Sequence, residues 1–341
     1  MKLRMRTIIF SIIGTAAIVI ASHGVADACS RVLWKTKDQG VFAARSMDWH
    51  VIFDPQMMIY PRGMTLNGDL DRNAAQWTSQ YGSVVINGTN FDNVAIDGMN
   101  EKGLTAHALY LDATKYEERD ARPGVSYLSS LRYLLDNNAT VVEALNSLKK
   151  IQIVPVPIHG KIFGAHLAIE DPTGDSAIIE FINGKMVVHH GRQYVVLTND
   201  PPYDVAIKEL KNYQPFGGTM ALPGGIEPID RFVRAEYFLK YLPEPKDHAQ
   251  GVAFVFQVIH NVAVPFGAPY GDGGVYPTWW LSAADLTNKV YYFSMAESPN
   301  VLWVDVSKLN FSKGQPVMSL DPKNPALVGD VSRGFQQAAS K

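Results

Sequence analysis

The chain has a single cysteine, Cys29, among 341 residues, which excludes an internal disulfide and any zinc site built from several thiols. Nine histidines are present without an HExxH pair. His189 and His190 are adjacent, so on a strand they face opposite ways. There is no GxSxG elbow, no phosphate-binding P-loop pattern and no GxGxxG dinucleotide loop. Basic tracts are also missing. Thirty-one basic residues face 33 acidic ones, for a formal net charge of −2, so no nucleic-acid partner is expected. After residue 22 no apolar run approaches the ~20 residues of a membrane span. Neither an internal repeat nor a low-complexity linker divides the chain, and Pro223-Gly224-Gly225 reads only as a loop. With 47% apolar and 11% aromatic residues, stability must come from an ordinary hydrophobic core.

What is present begins at the N-terminus. Lys2, Arg4 and Arg6 precede an apolar run from Thr7 to Ser22, and Ala26-Asp27-Ala28 is a small-x-small cleavage site. That order predicts a secretory signal peptide over 1–28, a periplasmic or secreted protein, and a single domain over 29–341. Cleavage after Ala28 makes Cys29 the new N-terminus, carrying both a thiol and a free α-amine. A thiol titrates at about 8.5 and an α-amine at about 7.7–8, so the amine can accept the thiol proton near neutral pH. Three other readings stay open for a lone cysteine here: a small buried hydrophobe, a thiol awaiting an intermolecular disulfide, or a lipid anchor. Asp27 argues against the anchor, since a lipoprotein signal takes a small uncharged residue at that place.

The rest reads as strands, helices, strands, helices, strands. Val32 to Trp34 and Gly40 to Met47 form a hairpin; Ser83 to Asn87, Val94 to Met99 and Leu104 to Leu111 are further strands. Ser126 to Leu135 is helical, and Thr140-Val-Val-Glu143 is a capping box opening a second helix. A meander is expected over 166–170, 177–182, 186–190 and 194–197, with Asn183-Gly184 as one hairpin turn. Helices follow over 229–242 and 247–260, then strands over 278–282, 290–295 and 302–306. Two mainly antiparallel sheets packed together, with helices outside, bury this pattern: an α+β, four-layer αββα sandwich.

Residues 45–49 read Arg-Ser-Met-Asp-Trp. On a strand Arg45 and Met47 share one face and Ser46 and Asp48 the other, and the hairpin brings this segment beside Cys29. Cys29, Arg45 and Asp48 at this spacing resemble the choloylglycine hydrolase and penicillin V acylase family of N-terminal-nucleophile hydrolases, which cleave linear amides. The resemblance continues through Met99-Asn-Glu-Lys-Gly-Leu104, Leu197-Thr-Asn-Asp-Pro201, Asp230-Arg-Phe-Val-Arg-Ala235 and the Trp279 to Phe293 block with Asp285 and Asn288-Lys289. These pieces span nearly all of the chain after residue 28.

The resemblance implies roles. Cys29 is the nucleophile and its α-amine the base. Asp48 holds the amine, and Arg45 lies beside the thiol. Asn199 gives its side-chain amide to an oxyanion hole, with the Tyr110 backbone N–H as second donor, and Arg231 completes the polar network. No metal or cofactor is implied. The partner is a small acyl-amide substrate, and a homo-oligomer, a tetramer, is expected. Read alone, Asn199 could be a turn residue, Arg231 a solvated helix residue and Tyr110 strand packing. Tyr110 stands where bile salt hydrolases carry Asn, so the acylase branch fits better, with N-acyl homoserine lactones as a further substrate class. Trp49 is a second candidate wall, and Phe53, Met57, Met58 and Tyr81 lie in segments expected to loop over the site. Bile salt hydrolysis, or a non-catalytic envelope protein keeping the fold, are the alternatives.

Overall fold

Each strand of the first hairpin is buried along nearly its whole length, which places it inside a sandwich rather than on its surface. The computed structural model describes residues 29–270 and 273–339, so the expected signal segment 1–28 lies outside the described residues. Cys29–Lys35 and Val41–Asp48 pair antiparallel, with Cys29 opposite Met47 and Arg31 opposite Arg45. They lie in a seven-stranded sheet ordered Val196–Thr198, Cys29–Lys35, Val41–Asp48, Thr278–Asp285, Val290–Met295, Leu302–Asp305 and Gly329–Asp330. Only its last pairing is parallel.

A nine-stranded antiparallel sheet faces it. Its order is Lys185–His190, Ser176–Ile182, His166–Glu170, Thr105–Leu109, Val94–Asn100, Ser83–Gly88, Pro55–Tyr60, Met318–Leu320 and Gln336–Gln337. Helices Pro228–Lys240 and His248–Val262 pack on the outer face of the first sheet, with Tyr203–Leu210 against the former. Helices Ser130–Asn137 and Val141–Leu148 pack as a pair outside the second sheet. The result is the expected four-layer αββα sandwich. Among the described residues no helix is long and apolar enough to cross a membrane.

Two cores fill the layers. One joins the facing sheets and the larger helices, around the fully buried Trp280, Phe42, Phe293 and Met57. The other lies under the 130–148 helices, around Leu134, Leu135, Ile169 and Ile179. Close approach sets one glycine: in helix His248–Val262 a Cβ on Gly251 would stand 2.4 Å from the Phe42 ring. A charged cluster crosses the inter-sheet core. Arg31 of the first sheet pairs with Glu170 of the second, and His107 bridges Asp97 (2.5 Å) and Glu170 (2.6 Å). Tyr291 donates to Asp97 at 2.9 Å. Burial disfavours charge on His107, but the two carboxylates outweigh it and hold its pKa up at about 9.

Thr140 caps its helix as predicted, with Glu143 N donating to Thr140 Oγ1 at 3.2 Å, but the return bond of the box is shifted by one residue: Glu143 Oε2 accepts from Ala139 N rather than from Thr140 N. Two expectations are corrected and one further element is found. The strand Val196–Thr198 does not continue the meander. After Gly191, at φ 140°, it crosses to the other sheet and pairs with Ser30, Arg31 and Val32. Residues 203–210 after the Asn199-Asp200-Pro201-Pro202 turn are helical, an element the sequence pattern did not announce. Met57 and Met58 belong to strand Pro55–Tyr60 rather than to a loop.

Candidate active site

Cys29 opens the second strand of the seven-stranded sheet, between Val196–Thr198 on one side and Val41–Asp48 on the other. Neighbouring strands therefore deliver the expected partners. Arg45 Nη2 stands 3.5 Å from Cys29 Sγ and 3.2 Å from Met47 Sδ. Its Nη1 donates to the Ile96 carbonyl at 2.7 Å, and the guanidinium carbon lies 5.0 Å over the Trp280 ring. Those contacts fix the cation against the sulfur. Burial is the larger influence on the thiol and pushes its pKa up, while Arg45 opposes it. The resting sulfur is thus held as a thiol.

The opposite face of the hairpin carries the second half of the site. Ser46 donates to Asp48 Oδ2 at 3.1 Å and Thr278 to Asp48 Oδ1 at 2.6 Å. Arg231 Nη1 is 3.6 Å from Asp48 Oδ2 and donates to Ser30 Oγ at 2.6 Å and to the Cys29 carbonyl at 2.8 Å. Arg231 comes from the first turn of helix Pro228–Lys240 and is fully buried, so it is not a solvated helix residue. Burial pushes Asp48 up to about 6, against the pull of Arg231 and the two hydroxyls.

Asn199 follows the strand that crosses between sheets. Its Oδ1 accepts from Cys29 N and, at 3.3 Å, from Arg231 Nη2. Its Nδ2 donates to the Tyr110 carbonyl at 2.8 Å, and an amide nitrogen carries a second N–H. The structure thus brings Cys29, Arg45, Asp48, Asn199, Arg231 and Tyr110 together. With Ala28 still attached, Cys29 N is an amide that bonds to Asn199, while Cys29 Sγ lies 3.8 Å from the Asp48 carbonyl and the Asp48 carboxylate faces Arg231. The sequence reading missed Ser30, Ser46, Thr278 and Met47. Strand alternation and the pairing of Thr278 with Asp48 are the signals that could have found them.

From the sulfur a cavity of about 100 Å³ runs into the molecule with an almost wholly apolar lining. Trp49, Phe53, Phe91, Tyr110 and Phe163 form its near walls. Trp49 meets Tyr110 edge-on at 5.6 Å, and Phe53 stacks on Phe91 at 4.4 Å. Tyr81 does not line this cavity; Lys102 lies over its ring, 5.7 Å from the centroid. Among the described residues no cluster of side chains suits a metal ion. The remaining family-like blocks are structural. Asn100 ties the 100–104 turn to the end of helix Ser130–Asn137, and Asp285 with Asn288 closes a hairpin.

Cys29 stands at the centre of this cluster, and the fold around it is that of linear amide hydrolases. Residues 29–319 match the family described as linear amide C-N hydrolases, choloylglycine hydrolase family, and the chain belongs to it. A penicillin V acylase of Pectobacterium atrosepticum is 35% identical over 86% of each chain. A bile salt hydrolase/transferase of Clostridium perfringens is 27% identical over 83% of this chain and 93% of its own length. The solved structure of penicillin V acylase from Agrobacterium tumefaciens superposes with a TM-score of 0.82 at 38% identity, covering 91% of this chain and 98% of its own.

Proposed function

We propose that the chain is an N-terminal-cysteine acylase, activated when residues 1–28 are removed and acting outside the cytoplasm as a homo-oligomer, a tetramer. The observation that carries this reading is the position of Cys29. Its nitrogen, its sulfur and the wall of an apolar cavity meet at one residue, with Arg45 3.5 Å from the sulfur. Removal of Ala28 turns that nitrogen into an amine, and an amine can be a base where an amide cannot. The thiol proton passes to the α-amine as sulfur bonds to the substrate carbonyl carbon. The carbonyl oxygen takes the charge and is met by the second N–H of Asn199 and the Tyr110 backbone N–H. Such donors are worth about 2.7–4 kcal/mol each. The C–N bond then breaks, the leaving amine takes the proton from the Cys29 ammonium, and a thioester remains. Water attacks it, giving its proton to the same amine, and the acid is released with the thiol restored.

The aromatic near walls favour a flat or extended apolar acyl group, as in phenoxyacetyl amides, with N-acyl homoserine lactones as the natural class. Chromatographic assay of penicillin V and long-chain N-acyl homoserine lactones tests this, with Cys29→Ser as control. Hydrolysis of both, lost in the variant, is expected. Cleavage of penicillin V alone overturns the lactone assignment, and cleavage of neither overturns the acylase reading. Cell fractionation and light scattering check location and assembly: cytoplasmic retention or a monomer contradicts those parts.

A further inference from the structure

The cavity touches both cores, and its course follows from strand geometry. Ile96 and Ala95 are consecutive on one strand, as are Leu109 and Ala108 on its neighbour. Leu109 and Ala108 point to opposite faces by strand alternation, whereas Ile96 is the extra residue of a β-bulge and its side is set by its packing. Ile96 and Leu109 belong to the inter-sheet core, whereas Ala95 and Ala108 face the outer core under the 130–148 helices. All four line the same cavity. It must therefore pass from one face of the nine-stranded sheet to the other. Val94 begins its strand and Leu109 ends its own, and the two strands are antiparallel, so these residues share one end of the sheet. The cavity bends around that end. The corner is built of alanines, and beyond it Tyr116, Tyr127, Ile153 and Phe181 line an outer arm. Tyr116 closes against Phe181 and Tyr127, with ring centroids 5.0 and 5.7 Å apart.

The cavity thus has two arms with different demands. A rigid ring fills the near arm beside Trp49 and cannot follow the bend. A flexible chain can. We infer that the outer arm is a subsite for the distal methylenes of a long acyl chain and that Ala95 and Ala108 are specificity-determining residues that keep its entrance open. This rests on the acyl-transfer reading for its chemistry and on the shape of the cavity for its location. A branched side chain at Ala108 would fill the corner while suiting a strand.

The test compares N-butanoyl and N-dodecanoyl amides of one amine. In the wild-type chain the ratio of kcat/KM, dodecanoyl over butanoyl, rises by up to about fourfold for each methylene buried. Ala108→Ile lowers that ratio by at least about tenfold, and Ala108→Ser preserves it. Ala95→Val is the second plug, should Ala108→Ile fail to fold. An unchanged ratio in a folded plugged variant overturns the subsite. Calorimetric binding of both amides to the Cys29→Ala chain separates the two claims. Equal affinity for the two lengths overturns the subsite. Length-dependent binding that Ala108→Ile abolishes, with neither amide hydrolysed by the wild type, supports the subsite and overturns the acylase reading alone.

Discussion

Replacing Arg45 by Met keeps an unbranched stem over Trp280 and removes the cation beside the Cys29 sulfur. Arg45 Nη2 lies 3.5 Å from Cys29 Sγ, with both side chains buried. At an effective dielectric of about 20, a thiolate and a guanidinium at that distance attract by about 5 kcal/mol. Losing that attraction makes the thiol titrate higher in the variant, on top of the rise that burial already causes. Hydrogen bonding to the sulfur is lost as well, so the direction is not in doubt. The assay is the pH dependence of iodoacetamide alkylation of the chain that begins at Cys29. Arg45→Met shifts the alkylation midpoint upward and lowers kcat/KM in parallel, while Arg45→Lys falls between. The freed Ile96 carbonyl costs about 1–3 kcal/mol of stability, which a melting curve registers separately. A midpoint within about half a unit of wild type would refute the argument that Arg45 governs the thiol.

Other consequences concern pH and packing. With Asp48 pushed up to about 6, kcat/KM should fall as pH drops through that value, because protonation releases Arg231. Thr278→Val removes a hydrogen bond to the charged carboxylate and should move this acid limb upward by about one unit; an unmoved limb contradicts the assignment. His107, held at about 9 against 6.5 when unfolded, adds about 3 kcal/mol that is fully present below pH 6.5 and lost as pH rises through 9. Urea denaturation at about pH 6 and about pH 10 should show that loss, and equal stability from this group at both contradicts it. Gly251→Ala gains about 1 kcal/mol of helix propensity but forces a methyl into Phe42, at about 1–3 kcal/mol. A lower melting temperature is expected, and one at or above wild type rules out the close-approach argument.

Much of this was legible in the chain because its signals are local. The alternation in Arg45-Ser46-Met47-Asp48 assigned the two faces correctly, and the cap at Thr140 marked a helix start. The resemblance supplied Asn199, Tyr110 and Arg231, which no local pattern separates from turn, strand and helix residues. What the sequence hid was long-range. The strand at 196–198 has the same apolar character as the meander before it, and only pairing with Ser30 to Val32 reveals that it changes sheets. That crossing brings Asn199 to Cys29. Thr278, far along the chain, reaches Asp48 by register rather than by motif. The bend of the cavity was equally unreadable, since it depends on which strand ends coincide.

Peptide mass mapping of the secreted or periplasmic protein, quenched during turnover of penicillin V, tests the central claim most directly. The account predicts an N-terminal peptide that starts at Cys29 with an unblocked α-amine, carrying the mass of the phenoxyacetyl group as a hydroxylamine-labile thioester on that residue. An N-terminus elsewhere, a lipid on Cys29, or acyl mass on another residue would contradict it.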